Sequence, residues 1–420
     1  MRRLATTVRG RVAVAAPIVL MMVAATGCAV PGHAIGQYPA PASFDVGQYS
    51  VRPLDQPGGN ESYGRVVESA RMAEALVDPV DVDPSLSFQA TVFAEQILPT
   101  PSRATLLLPA AARSVLEQNG MLAGCSIAGS DATQPGGDPQ VGESRVLSVT
   151  LLRFPDDDAA QRAASGIDAA DAAAHAGTVP VAIPDYAAAH AHRRPTVPTL
   201  SATIADGNYV VSLLVGERTP DLEALTGLAG KAFAAQLPRI RSFVATPREQ
   251  IASLPLDRDG MLARMAPEAP GRWPYPVVLG KGDTDPGARW TSFAEVSGVV
   301  LGPRATRLWF GHDRVDDALE EAAIKGWSSV QRYSSPSAAR RHVATSVAKE
   351  LEDPQFHPVD GPAGVPDVVC VEDQHVAFDA MLRYDCRVLS GRYVAMLFGR
   401  DLAEVRQKAT VQYGLLVNGR

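Results

Sequence analysis

"DGNYVVSLLVGERTPD", Asp206 to Asp221, and "SGRYVAMLFGRD", Ser390 to Asp401, follow one plan: a turn, an apolar strand, then a helix start. Asp206-Gly207 is a strong hairpin signal, and Ser390-Gly391 repeats it, because glycine takes positive φ without a steric penalty. "LSATIA" and "YDCRVL" supply the preceding arms. Thr219-Pro220 opens a helix with Leu222, Leu225, Ala229 and Phe233 on one face. Asp401, with Glu404 three residues on as in a capping box, opens another through Leu402, Val405, Ala409, Gln412 and Tyr413.

The likeness continues upstream. "FAEQILPTPSRATLLL" (Phe93 to Leu108) and "FAEVSGVVLGPRATRLWF" (Phe293 to Phe310) share Phe-Ala-Glu and then Arg-Ala-Thr, at Arg103 and Arg304. A stretch ending at glycine follows each, "AAARSVLEQNG" to Gly120 and "HDRVDDALEEAAIKG" to Gly326, and both read as helices. "SVTLLRFPDDDAAQRAA" then matches "SSVQRYSSPSAARRHVA", pairing Phe154 with Tyr333, and the hairpins pair Tyr209 with Tyr393. Offsets of 200, 206, 179 and 184 in one unbroken order describe a duplication whose loops have changed length.

Each half therefore reads strand, helix, strand, strand, helix. Pro155 and three following acids suit a helix start, as do Ser335 and Pro336, after which Val343, Val347 and Leu351 form an apolar stripe. The expected class is α+β: two duplicated ferredoxin-like halves, each a mostly antiparallel sheet with helices on one face. The expected boundaries are an N-terminal domain over 61–245, a Pro/Gly-rich linker region over 246–290 and a C-terminal domain over 291–420. "VVESARMAEALVDPVDVDPSLSF" (Val66 to Phe88) reads as a helix and a Pro-punctuated loop able to pack across the halves.

The start of the chain sets its expected location. Arg2, Arg3, Arg9 and Arg11 precede the apolar run Val12–Thr26, the layout of a signal peptide over 1–27. Ala25-Thr26-Gly27-Cys28 resembles a lipobox, so Cys28 is expected to carry the lipid and 28–60, rich in Pro, Gly and Ala, to be the tether. Two or more acyl chains suffice for stable anchoring; plain secretion with a free Cys28 thiol is the alternative. The expected location is the extracytoplasmic face of the cell membrane. Loss of the leader takes the net charge from −7 to −11, with no basic cluster left. This balance excludes nucleic acid as a partner and an electrostatic membrane face.

An oxidising compartment permits disulfides. "PDVVCVEDQ" and "LRYDCRVLSGRYV" both read as strands, so Cys370 and Cys386 are expected to pair across them, while Cys125 in "MLAGCSIAG" reads as a small buried residue.

The candidates for chemistry are few. His175, His190 and His192 with Asp185 form the densest histidine group, but their Ala and Arg surroundings read as a surface loop. Asp313, Asp316, Asp317, Glu320 and Glu321 in "HDRVDDALEE" read as the solvated face of a helix starting at His312. "GKGDTDPG" (Gly280 to Gly287) lacks the order of a phosphate loop. Trp273, Tyr275, Trp290, Trp309 and Trp327 gather around the start of the second half, where packing is the default role. No catalytic residue, metal or cofactor is expected.

The lipobox, "ESARMAEALVDPVDVDP", the units at Phe154 and Tyr333, Cys370 with Cys386, and "GRYVAMLFG" together resemble an uncharacterised family of lipoproteins from mycolic-acid-containing actinomycetes. That family implies no activity and no catalytic residues. The cysteine strand with "GRYV" is also loosely similar to extracellular sensor domains of mycobacterial receptor kinases. The expected function is a membrane-anchored binding module for a lipid, glycan or envelope protein, with the ligand between the halves; a lipid or glycan carrier or a cell-wall hydrolase is the alternative.

Overall fold

The computed structural model describes residues 44–90, 96–132, 140–279, 295–310, 318–375 and 383–419. Cys28, the leader, His312–Asp317, Gly280–Gly287, Trp290 and both Phe-Ala-Glu motifs except Glu295 lie outside them.

The first half opens with α1 (Glu61–Met72), capped by the Asn60 side chain on the Tyr63 N–H, then a 3-10 turn over Ala73–Ala75 and the short α2 (Pro79–Val82). β1 (Phe88–Gln89), β2 (Gln96–Ile97), α3 (Pro101–Ala104) and α4 (Ala112–Gln118) lead into the sheet. The sheet's main strands are β3 (Ala123–Ser130) and β4 (Val146–Arg153), then, after α5 (Asp157–Ala174), β5 (Val179–Pro180), β6 (His190–Arg193), β7 (Thr199–Asp206) and β8 (Tyr209–Gly216). α6 (Leu222–Ser242) closes the half. The strand order is β1-β3-β4-β8-β7-β6-β5, with β2 also on β3, and every pairing is antiparallel.

The second half repeats the plan. β9 (Val277–Leu279), β10 (Glu295–Leu301) and α7 (Pro303–Phe310) precede β11 (Leu319–Lys325) and β12 (Ser328–Tyr333). α8 (Pro336–Glu350) leads to β13 (Phe356–Val359), β14 (Val368–Asp373), β15 (Tyr384–Ser390), β16 (Tyr393–Gly399) and α9 (Leu402–Asn418). Its order, β13-β14-β15-β16-β12-β11-β10-β9, is the first order read from the other end, again antiparallel throughout. The class is α+β with two similar halves.

Local chemistry explains the elements. Gly207 and Gly391 take φ of 58° and 60° at the two hairpin turns. Asp156 caps α5 through the Ala159 N–H, so Pro155 stays outside the helix, and Ser335 caps α8 through Ala338 with Pro336 in its first turn. Asp221 and Asp401 cap α6 and α9 on the N–H groups of the second and third residues. Helices occupy both faces of each sheet. Val210 packs with α5 and its neighbour Val211 with α6, and adjacent strand residues point to opposite faces.

One expected helix is a strand. Leu319–Lys325, "LEEAAIK", forms β11, paired on both sides by β10 and β12. Ala, Glu, Leu and Lys favour helix by tenths of a kcal/mol per residue, and pairing of both edges with burial of Ala322, Ala323 and Ile324 outweighs that. β11 therefore corresponds to β3, and Gly326 sits in the β11–β12 turn and is no counterpart of Gly120.

Residues 246–279, placed in a linker region by composition, are packed. They include 3-10 turns over Arg248–Ser253 and Arg258–Gly260 and bury Ile251, Leu256, Met261, Leu262, Met265 and Trp273. Residues 44–57, placed in the tether, lie against α9 and 257–268: Val51 O accepts from Asn418 Nδ2 at 2.8 Å and Gln56 Oε1 from Asp257 N at 2.9 Å. The two halves share one apolar core, with Met72, Leu76, Leu213 and Phe233 in the same cluster as Val299, Leu301, Leu308 and Ile324.

Candidate functional site

The Arg-Ala-Thr motifs join the halves. Arg304, near the start of α7, donates to Leu76 O at 2.8 Å and to Asp81 at 2.7 Å, while Glu74 accepts from the N–H groups of Arg304 and Ala305. Reciprocally, Arg103 of α3 donates to Val278 O at 2.9 Å. Two buried glutamines repeat a second contact. Gln236 of α6 donates to Ala75 O and accepts from Val77 N; Gln412 of α9 donates to Arg264 O and accepts from Ala266 N. Each final helix thus holds the segment that precedes its sheet.

Among the described residues, three groups of buried charge tie helices to the sheets. Glu68 of α1, fully buried, accepts from Arg153 Nη1 at 2.6 Å, from Thr246 N at 3.0 Å and, on its other oxygen, from Arg71 and Thr246 Oγ1. Arg153 also donates to Thr246 O at 2.6 Å. Burial of an ion pair repays its desolvation only when the remaining sites are hydrogen-bonded, as these are on the carboxylate. Next to it, burial pushes the Tyr209 phenol up to about 12. The counterpart of Arg153 is Arg332, which reaches buried Glu321 and the more exposed Glu320 and Asp259 in a network that Arg258 and Arg392 extend toward solvent.

The second place lies under α5. His192 on β6 holds Asp168 with Nδ1 at 2.7 Å and lies 3.4 Å from Asp171 with Nε2. The two carboxylates sit at i and i+3, one helical face, aimed at the strand. Hydrogen bonding to Asp168 first, then to Asp171, raises His192 to about 9 against the cost of burial. Burial works against the Asp171 carboxylate, but hydrogen bonds from His192 and Ser201 bring it below its usual range. With both ring nitrogens bound to carboxylates, the imidazolium has no lone pair to accept a proton. The arrangement is a charged bolt between helix and sheet.

The third place is the equivalent position in the second half. Arg387 on β15 donates to Asp385 at 2.7 Å and pairs with Glu350 of α8 at 2.7 Å. Glu350 follows Tyr333 by the same 17 positions as Asp171 follows Phe154, so the helix supplies its carboxylate from the same place. Burial pushes the Asp385 carboxyl up to about 7, against the pull of Arg387.

The cysteines divide as expected. Cys370 and Cys386 face each other across β14 and β15 and are bridged, with Cα atoms 4.1 Å apart. Cys125 lies fully buried in β3, where burial pushes its thiol up and leaves it inert. The first half puts Ala191 opposite Ala202 at the position of the bridge.

The other sequence candidates do not converge. His175 ends α5, His190 is exposed, and Asp185 takes a left-handed turn at φ 65°. Among the described residues no group of His, Cys, Asp or Glu is arranged to hold a metal ion. Glu320 and Glu321 lie on β11 in ion pairs. Trp273 is buried, Tyr275 stacks on Tyr63 at 5.1 Å, and Trp327 is exposed in the β11–β12 turn. Sequence reading missed Glu68, whose signal is an acid flanked by Val66, Ala70 and Met72 on a buried face. It also missed Asp168 and Asp171, two acids at one-turn spacing in an alanine helix.

The extracellular domain of PknH from Mycobacterium tuberculosis is similar over 40% of this chain and 94% of its own, at 10% identity and a TM-score of 0.27. Among curated proteins none matches. The N-terminal model of a domain of unknown function (DUF7373) matches residues 55–256 and its C-terminal model residues 261–419, so the chain belongs to that family.

Proposed function

We propose that the chain is an extracytoplasmic lipoprotein, anchored through Cys28, whose folded body is a binding module for an envelope component. The observation that carries this reading is the buried Cys370–Cys386 bridge, since disulfides persist in oxidising compartments, where the leader and Cys28 would also place the chain. The buried charges favour binding over catalysis. His192, Arg153 and Arg387 are each engaged by carboxylates in hydrogen bonds that join elements of the fold. The space between the halves holds apolar side chains of both, which favours a partner on the outer surface over a ligand in a central crevice.

The test compares the wild-type chain with Cys28→Ala by membrane fractionation, intact mass and cross-linking in whole cells. The wild type is expected in the membrane fraction, beginning at an acylated Cys28 and cross-linked to a discrete envelope component, and Cys28→Ala in the soluble fraction. Membrane retention of Cys28→Ala would overturn the anchor. Absence of any cross-linked component would overturn the binding role.

A further inference from the structure

Residues 44–57 precede the first half in sequence, but their contacts are with the second. Phe44 meets Tyr413 of α9 edge-on, with ring centroids 5.8 Å apart and planes at 88°. Tyr49 donates to Glu268 O, Val51 O accepts from Asn418, and Gln56 accepts from Asp257 N.

The duplicated fold shows what Phe44 replaces. Counting from the caps Asp221 and Asp401, Tyr413 is the counterpart of Phe233. Phe233 is covered by Tyr186, at 5.3 Å between centroids, from the connection between β5 and β6 of its own half. Tyr186 follows Asp185, whose φ of 65° turns the chain over α6. In the second half the turn recurs as Gly364, φ 75°, but the next residue is Val365 and no aromatic lies between β13 and β14. Phe44 stands there: its Cε1 lies 3.7 Å from where a Cβ on Gly364 would be. The second half has no covering ring in its own connection and receives one from outside the repeat.

We infer that the surface formed by Tyr413, Gly364, Asn418 and the 257–268 segment is a binding site for a peptide bearing an aromatic ring ahead of a turn, filled by residues 44–57 of the same chain. Its elements are those of peptide docking: one ring seated edge-on against Tyr413, and main-chain groups held by side chains of the other partner. The segment leading back to the N-terminus is thereby fastened to the C-terminal helix, whether or not Cys28 is acylated.

The test inserts a site-specific protease sequence between half-buried Pro57 and exposed Gly58, which has open space around it, in the full chain. After cleavage the strap fragment is expected to co-elute with the body and to exchange with a labelled synthetic peptide of residues 44–57. A peptide carrying Phe44→Ala is expected to bind about tenfold more weakly, the scale of one aromatic pair with its burial. Immediate loss of the fragment, or equal binding by the two peptides, would overturn the site. Hydrogen exchange on the uncut chain gives a second readout. Phe44→Ala is expected to speed exchange in α9 and 360–366 and leave α6 unchanged; no change in α9 would count against the inference.

Discussion

The first half fastens α5 to its sheet with a histidine, and the second fastens α8 with an arginine. His192 on β6 lies between Asp168 and Asp171; Arg387 on β15 lies between Asp385 and Glu350. The cation has moved to the neighbouring strand, yet the helix presents its carboxylate from the same position. The same contrast recurs twice. Ala191 and Ala202 stand where Cys370 and Cys386 are bridged, and Tyr186 stands where the strap provides Phe44. The contrast shows that the duplicated pattern of strands, turns and caps sets the fold, while its fastenings are interchangeable and differ in pH and redox response. The differences between the halves are therefore the places to apply substitutions.

The largest effect is expected where the first half buries its charge. Glu68→Ala leaves Arg153, 5% exposed in its side chain, without its carboxylate. Removing one partner of a buried pair costs roughly 3–5 kcal/mol. Arg332→Ala removes a guanidinium that is 15% exposed but leaves its buried partner Glu321 paired with Arg258, and is expected to cost less, about 1–3 kcal/mol. Denaturant midpoints of the two variants measure the gap, and equal losses would show that the networks are energetically alike.

Next is the bridge, present in the second half only. Cys370→Ala with Cys386→Ala opens a loop of 16 residues in sequence separation, worth about 3 kcal/mol on the chain-entropy model. Reducing agent is expected to lower the wild-type melting temperature and to leave that of the double variant unchanged. A wild type indifferent to reductant would show that the bridge adds little to stability.

The histidine bolt gives the first half a pH response. Its folded pKa of about 9 lies above the unfolded value near 6.5, so the protonated form is the one folding favours. The stabilisation is fully present below about pH 6.5 and is lost as pH rises through 9, on the order of 2 kcal/mol in all. Wild type and His192→Gln are expected to differ in melting temperature at pH 6 and to converge above pH 9.5. The difference is the quantity to follow, because Lys325, lowered by burial to about 8, acts in the opposite sense between pH 8 and 10.5 in both proteins. The second half has a different response: Asp385, raised by burial to about 7, makes stability fall as pH climbs from about 4 through 7, and Arg387→His is expected to change the shape of that response.

These fastenings differ in how far the sequence disclosed them. The hairpins at Gly207 and Gly391, the caps Ser335 and Asp401, and the cysteine pair are local signals, complete within a few residues or fixed by two strands and one short loop. β11 was misread because its helix-favouring composition is local and the two partner strands that decide it are not. Glu68 and Arg153 stand 85 positions apart, and Phe44 and Tyr413 still farther, and neither pair has a spacing rule that would join them. The His192 site is half visible in the sequence: the histidine stands out, but its partners lie on α5, beyond β5, and are not its neighbours in sequence.

The smallest effect asks whether the halves are close enough to exchange a fastening. Ala191 and Ala202 are buried and directly opposed on β6 and β7, as Cys370 and Cys386 are on β14 and β15. The double substitution Ala191→Cys and Ala202→Cys is expected to form a bridge in air without reductant. The gain is about 1–2 kcal/mol, less than the native bond gives, because an introduced disulfide usually carries some strain. Peptide mapping reads the bond, and melting with and without reductant reads its effect. The position also tests the core, since Ala191 and Ala202 face the side that α6 covers, and two sulfur atoms must fit beneath that helix. Formation of the bond with a raised melting temperature would mean that the second half gained its bridge without rebuilding the sheet. Formation with a lowered one would mean that the space beneath α6 does not admit two sulfurs without strain. Failure to form would place the two strand pairs in different geometries despite their shared register.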